Sequence, residues 1–418
     1  MNKFIDAISL LTDKNGTPVL PVLEDMKQRE GGVLIVNLAC DDSDAQINAY
    51  IAERYCDVTA AGIVSLADAG LCDEIIIYGC DNAAEKLTAA VKAQTAIPVT
   101  VLSGPASPVL RDETALFSVM DTGIIRVNRA EHDYSKSFPS FGYHGRPTLV
   151  IDGETAYQAG RIYHNPDTAV TKHIAVIGGE TVIYELKCGT AFAELPGGND
   201  FNGIALAGGT RGSLMDGGTL RDTRAAFIYE HDSIRIFDDK DCVVNELDEL
   251  YKSIKELSCA KCVLCREGSR QLSAIFSDIT AGRANRDDAA LIEDICPIIQ
   301  AGALCSFGKG MVKPAITAVS VYRGELEKHI SMRSCSAGKC KGLMNYIIDP
   351  SMCTGCGDCM DECPEEAIDG KAGFIHIIDK NLCEKCGKCV DICADGAIKL
   401  NGGNIKVPKR PVRAGTFR

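Results

Sequence analysis

The sequence predicts a multidomain chain in which an α/β module and a β-rich module precede a helical bundle and a small cysteine-rich module. Three observations support this. The 418 residues, 46% of them hydrophobic, suffice for two to four domains with real cores. Apolar runs alternate with helical stretches in the first part of the chain. Twelve of the 21 cysteines fall into three closely spaced sets.

The modules follow one another along the chain. Residues 1–165 alternate the strands GVLIVNL, EIIIYG and IPVTVL with the helical stretches DAQINAYIAERY and NAAEKLTAAVKAQ, which favours a parallel α/β layer. Residues 166–240 contain short strands and Gly-rich turns. Residues 241–333 predict the helices NELDELYKSIKEL, SRQLSAIFSDITAG, DAALIEDICPIIQAG and VKPAITAVSVYRGELEKHI, with a loop at 283–288. Residues 334–400 form the cysteine-rich module, and a basic tail follows at 401–418.

Two runs of C-x2-C-x2-C-x3-C in the cysteine-rich module predict a ferredoxin with two [4Fe–4S] clusters. In this pattern three cysteines wrap one cluster, and the fourth ligates the other cluster. A zinc ribbon would use C-x2-C pairs instead. The pattern therefore assigns two sets: Cys353, Cys356, Cys359 and Cys393 to one cluster, and Cys383, Cys386, Cys389 and Cys363 to the other.

A third set lies upstream, where Cys259, Cys262 and Cys265 precede the distant Cys305. Three thiolates on one turn with a remote fourth suit another [4Fe–4S] cluster. The surrounding segments SCAKCVLCREG and LCSFGKGMVKPAI resemble the ESCGxCxPCREG and CxxG segments of the flavin-carrying, NADH-oxidising subunit of respiratory complex I. That subunit type also occurs as the β subunit of NAD-linked [FeFe]-hydrogenases and formate dehydrogenases.

The resemblance extends beyond the cysteines. FGYHGRPTLVIDGETAYQAG (141–160), RDETALFSVMDTGIIR (111–126) and VNLACDDSDAQINAYIAER (36–54) are similar to the family's GxxGKPTxVNNVETxANV, GEETALxxSxEGxxGxPR and NADExxPGxxxDR stretches. The resemblance implies an FMN-binding-type α/β domain, a soluble-ligand-binding β-grasp domain at 166–240, an iron–sulfur helical bundle and a bacterial-type ferredoxin. The hydrogenase-type β subunit is expected to be the nearest relative because it adds such a ferredoxin.

The α/β domain departs from the family at its flavin site. The family places FMN phosphate in the loop RGRGGAGFPTG, where bare backbone N–H groups close on the phosphate. Residues 1–33 contain no such glycine run, the asparagines of VNNVET are replaced by Ile151 and Asp152, and the glycine of GEET is replaced by Arg111. Asn37 and Asp41 match NADE only with a shifted spacing. We therefore expect a degenerate domain that binds neither FMN nor NADH; the alternative is a divergent loop that still binds flavin.

A zinc site is predicted between the bundle and the ferredoxin. His329, Cys335 and Cys340 offer one imidazole and two thiolates, and a fourth ligand would complete tetrahedral Zn²⁺. The family resemblance implies Cys242 as that ligand, with Cys296 as the second candidate. The alternative is two free thiols and a surface histidine.

Composition excludes several classes. The net charge of −13 argues against nucleic acid, and no apolar run reaches the length of a membrane helix. The N-terminus has no signal-peptide pattern, and clustered thiols indicate metal in a reducing cytoplasm, as in an anaerobe. The basic tail is expected either to dock on a neighbour or to remain a solvated end. The sequence predicts that the other cysteines are buried small hydrophobes and that the other histidines are structural or solvated: Cys40, Cys56, Cys72, Cys80, Cys188, Cys296, His132, His144, His173, His231 and His376.

These features predict an iron–sulfur subunit that relays single electrons and contains no catalytic residues of its own. Its partners would be the redox subunits of a hydrogenase, formate dehydrogenase or flavin-based bifurcating complex, among them a flavin-bearing homologue, or free ferredoxin. Two alternatives remain open. In one, the chain is an FMN-containing, NADH-oxidising catalytic subunit. In the other, it is an assembly scaffold whose clusters are structural.

Overall fold

The computed structural model describes residues 2–42, 44–80, 82–128, 142–238, 240–401 and 406–417. The chain forms two compact units. The first comprises residues 1–238, 249–273 and 290–322, and the second comprises residues 239–248, 274–289 and 323–418. No helix among the described residues is both long and apolar enough to cross a bilayer. His132 lies outside the described residues.

A four-stranded parallel sheet organises the first part of the chain, as the alternating pattern predicts. Its strands are β1 (Gly32–Asn37), β2 (Cys72–Gly79), β3 (Val99–Ser103) and β4 (Thr148–Asp152), in the order β3-β2-β1-β4. All six residues of β1 are buried, as expected for a central strand covered on both faces. Asn37 pairs in register with Tyr78 of β2 and with Asp152 of β4, so the carboxyl ends of these strands share one edge.

The sequence predicted only α3 and α5 of the seven helices that the described residues form in this layer. The helices are α1 (Asn2–Ile8), α2 (Val19–Gln28), α3 (Ile47–Arg54), α4 (Cys56–Gly70), α5 (Asn82–Lys92), α6 (Glu113–Thr122) and α7 (Gly153–His164). Asp152 caps α7 by accepting a hydrogen bond from the N–H of Thr155 at 2.9 Å. Leu23, Leu34, Ile63, Leu66 and Ile77 are fully buried in the shared core.

A mixed five-stranded sheet follows, with the helix α8 (Gly217–Asp222) beside it. The strands β5 (Thr171–Ile177), β6 (Thr181–Lys187), β7 (Ile204–Ala207), β8 (Ser213–Asp216) and β9 (Ser233–Phe237) run in the order β6-β5-β9-β7-β8. Ile174, Phe192 and Ile234 lie in its core. Short strands and tight turns agree with the sequence pattern, whereas the assignment as a β-grasp domain stays a prediction.

The helical region contains α9 (Val243–Leu257), α10 (Val263–Thr280), α11 (Asp288–Gly302), α12 (Ser306–Gly310), α13 (Lys313–Val321) and α14 (Arg323–Glu327), followed by a π turn (Lys328–Met332). The sequence predicted one helix across residues 312–330. The structure instead breaks it at Tyr322, whose φ of −120° is not helical. Helices α9, α10 and α11 have their carboxyl ends within two residues of the prediction, but α10 begins at Val263, before the predicted start at Ser269, and α12 was not predicted.

The cysteine-rich module consists of two halves with the same cysteine spacing. Its elements are β10 (Asn345–Ile348), α15 (Asp358–Asp361), β11 (Ile368–Asp369), β12 (Ile377–Ile378), α16 (Lys388–Ile392) and β13 (Ile398–Asn401). Strands β10 and β13 pair antiparallel, as do β11 and β12. The N–H of Asp349 donates to Ala397 and the N–H of Asp379 to Ala367, each at 2.7 Å, so the two halves are closed by equivalent bonds.

Two of the remaining cysteines correct the prediction that all of them are buried. Cys40, Cys72 and Cys296 are buried and Cys56 is half-buried, but Cys80 and Cys188 are exposed. Each exposed cysteine directly follows the last residue of a strand, β2 or β6, where the chain leaves the sheet. The position of these two cysteines at the end of a strand therefore decides their exposure more than the usual preference of a free thiol for burial does.

Helices α4 and α7 cross at two glycines, and this contact leads to a stability prediction. A methyl group on Gly62 would lie 2.0 Å from the carbonyl oxygen of Ala156 and 2.5 Å from the nitrogen of Gly160. Because backbone atoms cannot yield as a flexible side chain can, Gly62→Ala should cost about 1–3 kcal/mol. We expect thermal unfolding followed by circular dichroism to show a melting temperature lower by about 5 °C. Gly179→Ala, with no atom within 4 Å, is the matched control. Equal melting temperatures for the two variants would contradict the close crossing.

Candidate functional site

The carboxyl ends of β1 and β4 mark the position where open α/β sheets usually bind ligands. From β1 the chain continues to β2 on one side, whereas β4 lies on the other side, so the strand order reverses between β1 and β4. Crevices at such a reversal are the general ligand sites of parallel sheets. The side chains of Asn37 and Asp152 end these two strands and are 3% and 2% exposed.

A turn near the N-terminus places Lys14 at this edge. The side chain of Asp13 accepts hydrogen bonds from the N–H groups of Asn15 and Thr17, at 2.9 and 2.7 Å, and Gly16 has a φ of +85° that favours glycine. The turn precedes α2 and turns the Lys14 side chain inward, where it is fully buried. Residues 1–33, where the sequence comparison expects the glycine loop of the family, contain α1, this turn and α2.

Lys14 forms the centre of a buried ionic network. Its Nζ lies 2.9 Å from Asp152, 3.1 Å from Glu154 and 3.1 Å from Asp232. Burial alone would lower the pKa of Lys14, but the three carboxylates outweigh this effect and hold the pKa well above its ordinary value. A second buried cation, Lys172, lies 2.6 Å from Glu154 and also pairs with Asp232.

Arg111 extends the network toward the end of β1. Its Nε donates to the carbonyl of Cys40 at 2.9 Å, and its guanidinium lies 3.3 Å from Asp42. The guanidinium also stacks over the ring of Tyr229 at 4.2 Å, and Lys14 lies 4.8 Å from the centre of the same ring. Arg111 is 5% exposed, so this corner of the site is filled by protein side chains.

Two acids near the network are held close to their neutral form. Burial raises the pKa of Asp41 to about 7, although Lys14 opposes the shift. Burial also raises the pKa of Glu113 to about 8, with Asp13 and Asp112 adding repulsion. One carboxyl oxygen of Glu113 is buried and has no hydrogen-bond partner among the described residues. The site therefore carries more buried acids than its cations can neutralise.

The structure brings together the residues that match the family's flavin segments. Asn37 donates to the carbonyl of Leu110 at 2.9 Å, and Asp41 accepts from the side chain of Asn48 at 2.8 Å. Arg111 and Asp152 point into the same network. Lys14 was missed by sequence reasoning. The only signal was the turn sequence DKNGT, which predicts the turn and not the direction of the lysine.

The predicted zinc ligands converge in the second compact unit. The ligand atoms of Cys242, His329, Cys335 and Cys340 all lie within 4.8 Å of one another, and all four residues are buried. The Sγ atoms of Cys242 and Cys340 are 3.6 Å apart, and the Nε2 of His329 is 3.2 Å from Cys242. Tetrahedral zinc with Zn–S bonds of about 2.3 Å separates sulfurs by about 3.8 Å. The donor set therefore fits Zn²⁺. Cys296, the second candidate, lies beside Tyr251 instead.

The protonation of His329 also suits a metal ligand. Its Nδ1 lies 2.8 Å from the backbone carbonyl of Glu325. A carbonyl can only accept a hydrogen bond, so Nδ1 carries a proton, and Nε2, which faces the thiols, is the nitrogen that a metal ion would take. This second contact is the usual support for a metal-binding imidazole.

The upstream cysteine set gathers around the start of α10 and the start of α12. The thiol of Cys265 interacts with Cys262 and Cys305, and Cys305 interacts with Cys259, so all four lie in one neighbourhood. The N–H groups of Phe307 and Gly308 bond to the Cys305 thiol. Gly308 favours this close packing because a methyl group there would lie 2.9 Å from the Cβ of Ala303 and 3.3 Å from the Sγ of Cys265.

The two ferredoxin sets show the crossed pattern that the spacing predicts. The thiol of Cys359 has Cys353, Cys356 and the distant Cys393 as neighbours. The thiol of Cys389 has the corresponding neighbours Cys383, Cys386 and the distant Cys363. Two equivalent N–H groups bond to the crossing ligands: Ala367 donates to Cys363 at 3.4 Å and Ala397 to Cys393 at 3.3 Å.

The described histidines outside the zinc set have structural contacts. His144 lies 3.0 Å from Asp121, His173 lies 3.0 Å from Glu154, and His231 accepts from the N–H of Ala226 at 2.9 Å. His376 is buried against Gly370.

Comparison with known families places both iron–sulfur regions. Residues 245–329 match the NADH-ubiquinone oxidoreductase-F iron-sulfur binding region, and residues 352–398 match the 4Fe-4S dicluster domain. The NADP-reducing hydrogenase subunit HndC of Solidesulfovibrio fructosivorans is 30% identical over 298 residues. The chain is similar to F subunits of NADH-quinone oxidoreductases and to subunits of NAD- and NADP-reducing hydrogenases. This confirms the family resemblance.

The match to individual relatives is partial. It covers 64% of this chain and 59% of HndC, so the chain spans less than two thirds of that relative. The F-type subunit of the NADH-quinone oxidoreductase of Streptomyces coelicolor is 32% identical over 103 residues, which are 25% of this chain and 23% of the relative. The crystal structure of an NAD⁺-reducing [NiFe]-hydrogenase in the H2-reduced state superimposes with a TM-score of 0.68 at 21% identity, covering 78% of this chain and 62% of the other. That likeness establishes the fold.

Removal of Lys14 should destabilise the protein strongly. Lys14→Met leaves Asp152, Glu154 and Asp232 buried with one cation fewer, and breaking a buried ion pair in this way costs about 3–5 kcal/mol. Chemical denaturation followed by circular dichroism measures the loss. The double variant Lys14→Met, Asp152→Asn removes one charge of each sign and should recover part of the stability. Lys27→Met, at an exposed position, is the control. A stability of Lys14→Met equal to this control would show that Lys14 is not the buried counter-ion.

Proposed function

We propose that the chain is an iron–sulfur subunit that relays single electrons within a hydrogenase-type or complex-I-type oxidoreductase and binds no flavin of its own. The chain matches two iron–sulfur family regions and is similar to subunits of a hydrogenase and of an NADH-quinone oxidoreductase, which supports an electron-transfer role. The proposed partners are redox subunits of the same complex, one of them flavin-bearing, or ferredoxin, in a reducing cytoplasm. The main observation behind the proposal of a relay without its own flavin is the ionic network at the strand-order reversal between β1 and β4.

The network supports the absence of flavin for a physical reason. Asn37, Asp41, Arg111 and Asp152 occupy the positions that match flavin-binding segments of the family, but their partners are other groups of the protein. An anionic phosphate would meet four acids in this neighbourhood, Asp42, Asp152, Glu154 and Asp232. Lys14, Lys172 and Arg111 are already paired with these acids. A phosphate would therefore have to compete with carboxylates that are part of the same chain.

The three cysteine sets would hold [4Fe–4S] clusters, which supply reversible one-electron chemistry. The chain's own contribution is the setting of the thiolates. The N–H groups of Ala367 and Ala397 stabilise thiolate charge at the crossing ligands, and those of Phe307 and Gly308 do so at Cys305. Ten of these twelve cysteines are buried or half-buried, which limits access of water.

The fourth set, Cys242, His329, Cys335 and Cys340, would hold a structural zinc ion. All four positions are protein ligands and all are buried, which leaves no open coordination position. Zinc has no redox chemistry of its own. Its role would be to fix the π turn at Lys328–Met332 and the following loop beside the start of α9.

Anaerobic purification followed by iron counting and flavin fluorimetry on one sample tests the relay proposal. About twelve irons per chain, as three cubanes require, together with no extractable flavin, is the expected result. Stoichiometric FMN that is bleached by NADH would overturn it and identify an NADH-oxidising catalytic subunit. Full iron in clusters that no electron donor reduces would instead favour a structural scaffold.

Metal analysis of cysteine variants tests the zinc proposal. Cys335→Ser, Cys340→Ser should lose about one zinc per chain, because serine does not replace a thiolate toward Zn²⁺. Its iron content should stay at the wild-type value. Cys296→Ser is the matched control, since Cys296 is equally buried and lies outside the ligand group. Zinc retained in the double variant, or lost in the control, would refute the assignment.

A further inference from the structure

A basic segment pairs with the ferredoxin module beside its first cysteine loop. Residues 406–417, called the strap below, contain Lys406, Lys409, Arg410 and Arg413 and no acidic residue. The N–H of Ile375 donates to the carbonyl of Val412 at 2.7 Å, and the N–H of Ala414 donates to Gly373 at 3.0 Å. The strap therefore adds a strand-like edge to the module. The tail thus docks on its own chain, at least over these residues.

Two backbone hydrogen bonds in series connect the strap to the residue before Cys356, a predicted cluster ligand. The N–H of Gly373 donates to the carbonyl of Gly355 at 2.9 Å, and Gly355 directly precedes Cys356. Adjacent strands lie about 4.8 Å apart, so the strap backbone runs roughly 10 Å from this loop. A side chain on Gly355 would collide with Phe374, which keeps the loop and the edge in close contact. Cys356 itself is exposed.

The charge of the strap contrasts with that of the module. Residues 342–401 contain eleven aspartates and glutamates against five lysines. The four strap cations are exposed, and none of them forms an ion pair with a described residue. If the strap served only to neutralise the module, its cations would face the module's carboxylates. Instead, these four side chains are exposed and available for contacts with another molecule.

We propose that the strap is a docking surface for a small acidic iron–sulfur electron carrier, which exchanges single electrons with the first ferredoxin set. This inference rests on the proposed relay function and names the partner class. Exposed cations beside an exposed ligand steer an anionic carrier toward that ligand and raise the association rate. They do so against the net charge of −13, which would otherwise repel an acidic protein.

The main-chain docking of the strap permits a clean test. In the quadruple variant K406Q, K409Q, R410Q and R413Q the hydrogen bonds from Ile375 and Ala414 persist because they join backbone atoms. The matched control K27Q, K92Q, R126Q and K255Q removes the same charge from exposed positions elsewhere. Iron content and the visible circular dichroism of the clusters establish that each full-length variant is intact.

Stopped-flow mixing with a reduced, purified acidic 2[4Fe–4S] ferredoxin measures the exchange. At low ionic strength the strap variant should react about tenfold more slowly than wild type, and its rate should depend less on salt. The control should stay within about twofold of wild type. A strap variant that behaves like the control overturns the docking surface but leaves the relay intact. A loss that is equal at all ionic strengths would assign the effect to the cluster potential and also overturn docking. A wild type with full iron that the carrier cannot reduce would overturn the relay proposal itself.

Discussion

The pairing of one buried ammonium with three carboxylates is the constraint on which the first compact unit depends. Lys14 joins a turn near the N-terminus to the end of β4, to the start of α7 and to the residue before β9. Charges can be buried at this density only when each has a partner at contact distance. The network therefore ties the parallel sheet to the five-stranded sheet, and the orientation of the two sheets follows from where their acids must meet a shared cation.

The departures from the family pattern depend on one another. Arg111 replaces a glycine and needs Asp42, while Asp152 replaces an asparagine and needs Lys14. Neither cation would be tolerated without its acid, nor either acid without its cation. Because Lys14 and Arg111 each contact a buried carboxylate, the network fills this edge of the α/β layer with side chains held by ionic contacts.

Sequence reasoning succeeded where spacing alone decides structure and failed where distant contacts decide it. The cysteine steps, the apolar strands and the ends of three long helices follow local periods, so they could be read from the chain. Lys14 could not, because a lysine in a polar turn is ordinarily solvated. The break at Tyr322 and the exposure of Cys80 and Cys188 likewise depend on the path of the chain after each element. The convergence of Cys242 with His329 needed the family resemblance, since 87 residues separate them.

The same side-chain type serves two kinds of site in this chain, and geometry separates them. Cys242 and Cys340 approach to 3.6 Å, a separation that admits a single ion between their sulfurs. In each predicted [4Fe–4S] set, three thiolates come from one turn and the fourth comes from a distant part of the chain. The four ligands therefore enclose a space that suits a cluster and not a single ion. Closed coordination favours rigidity, whereas thiolates that receive N–H bonds and remain partly exposed favour electron exchange. The distribution of these two geometries along the chain thus distinguishes the proposed zinc site from the proposed cluster sites.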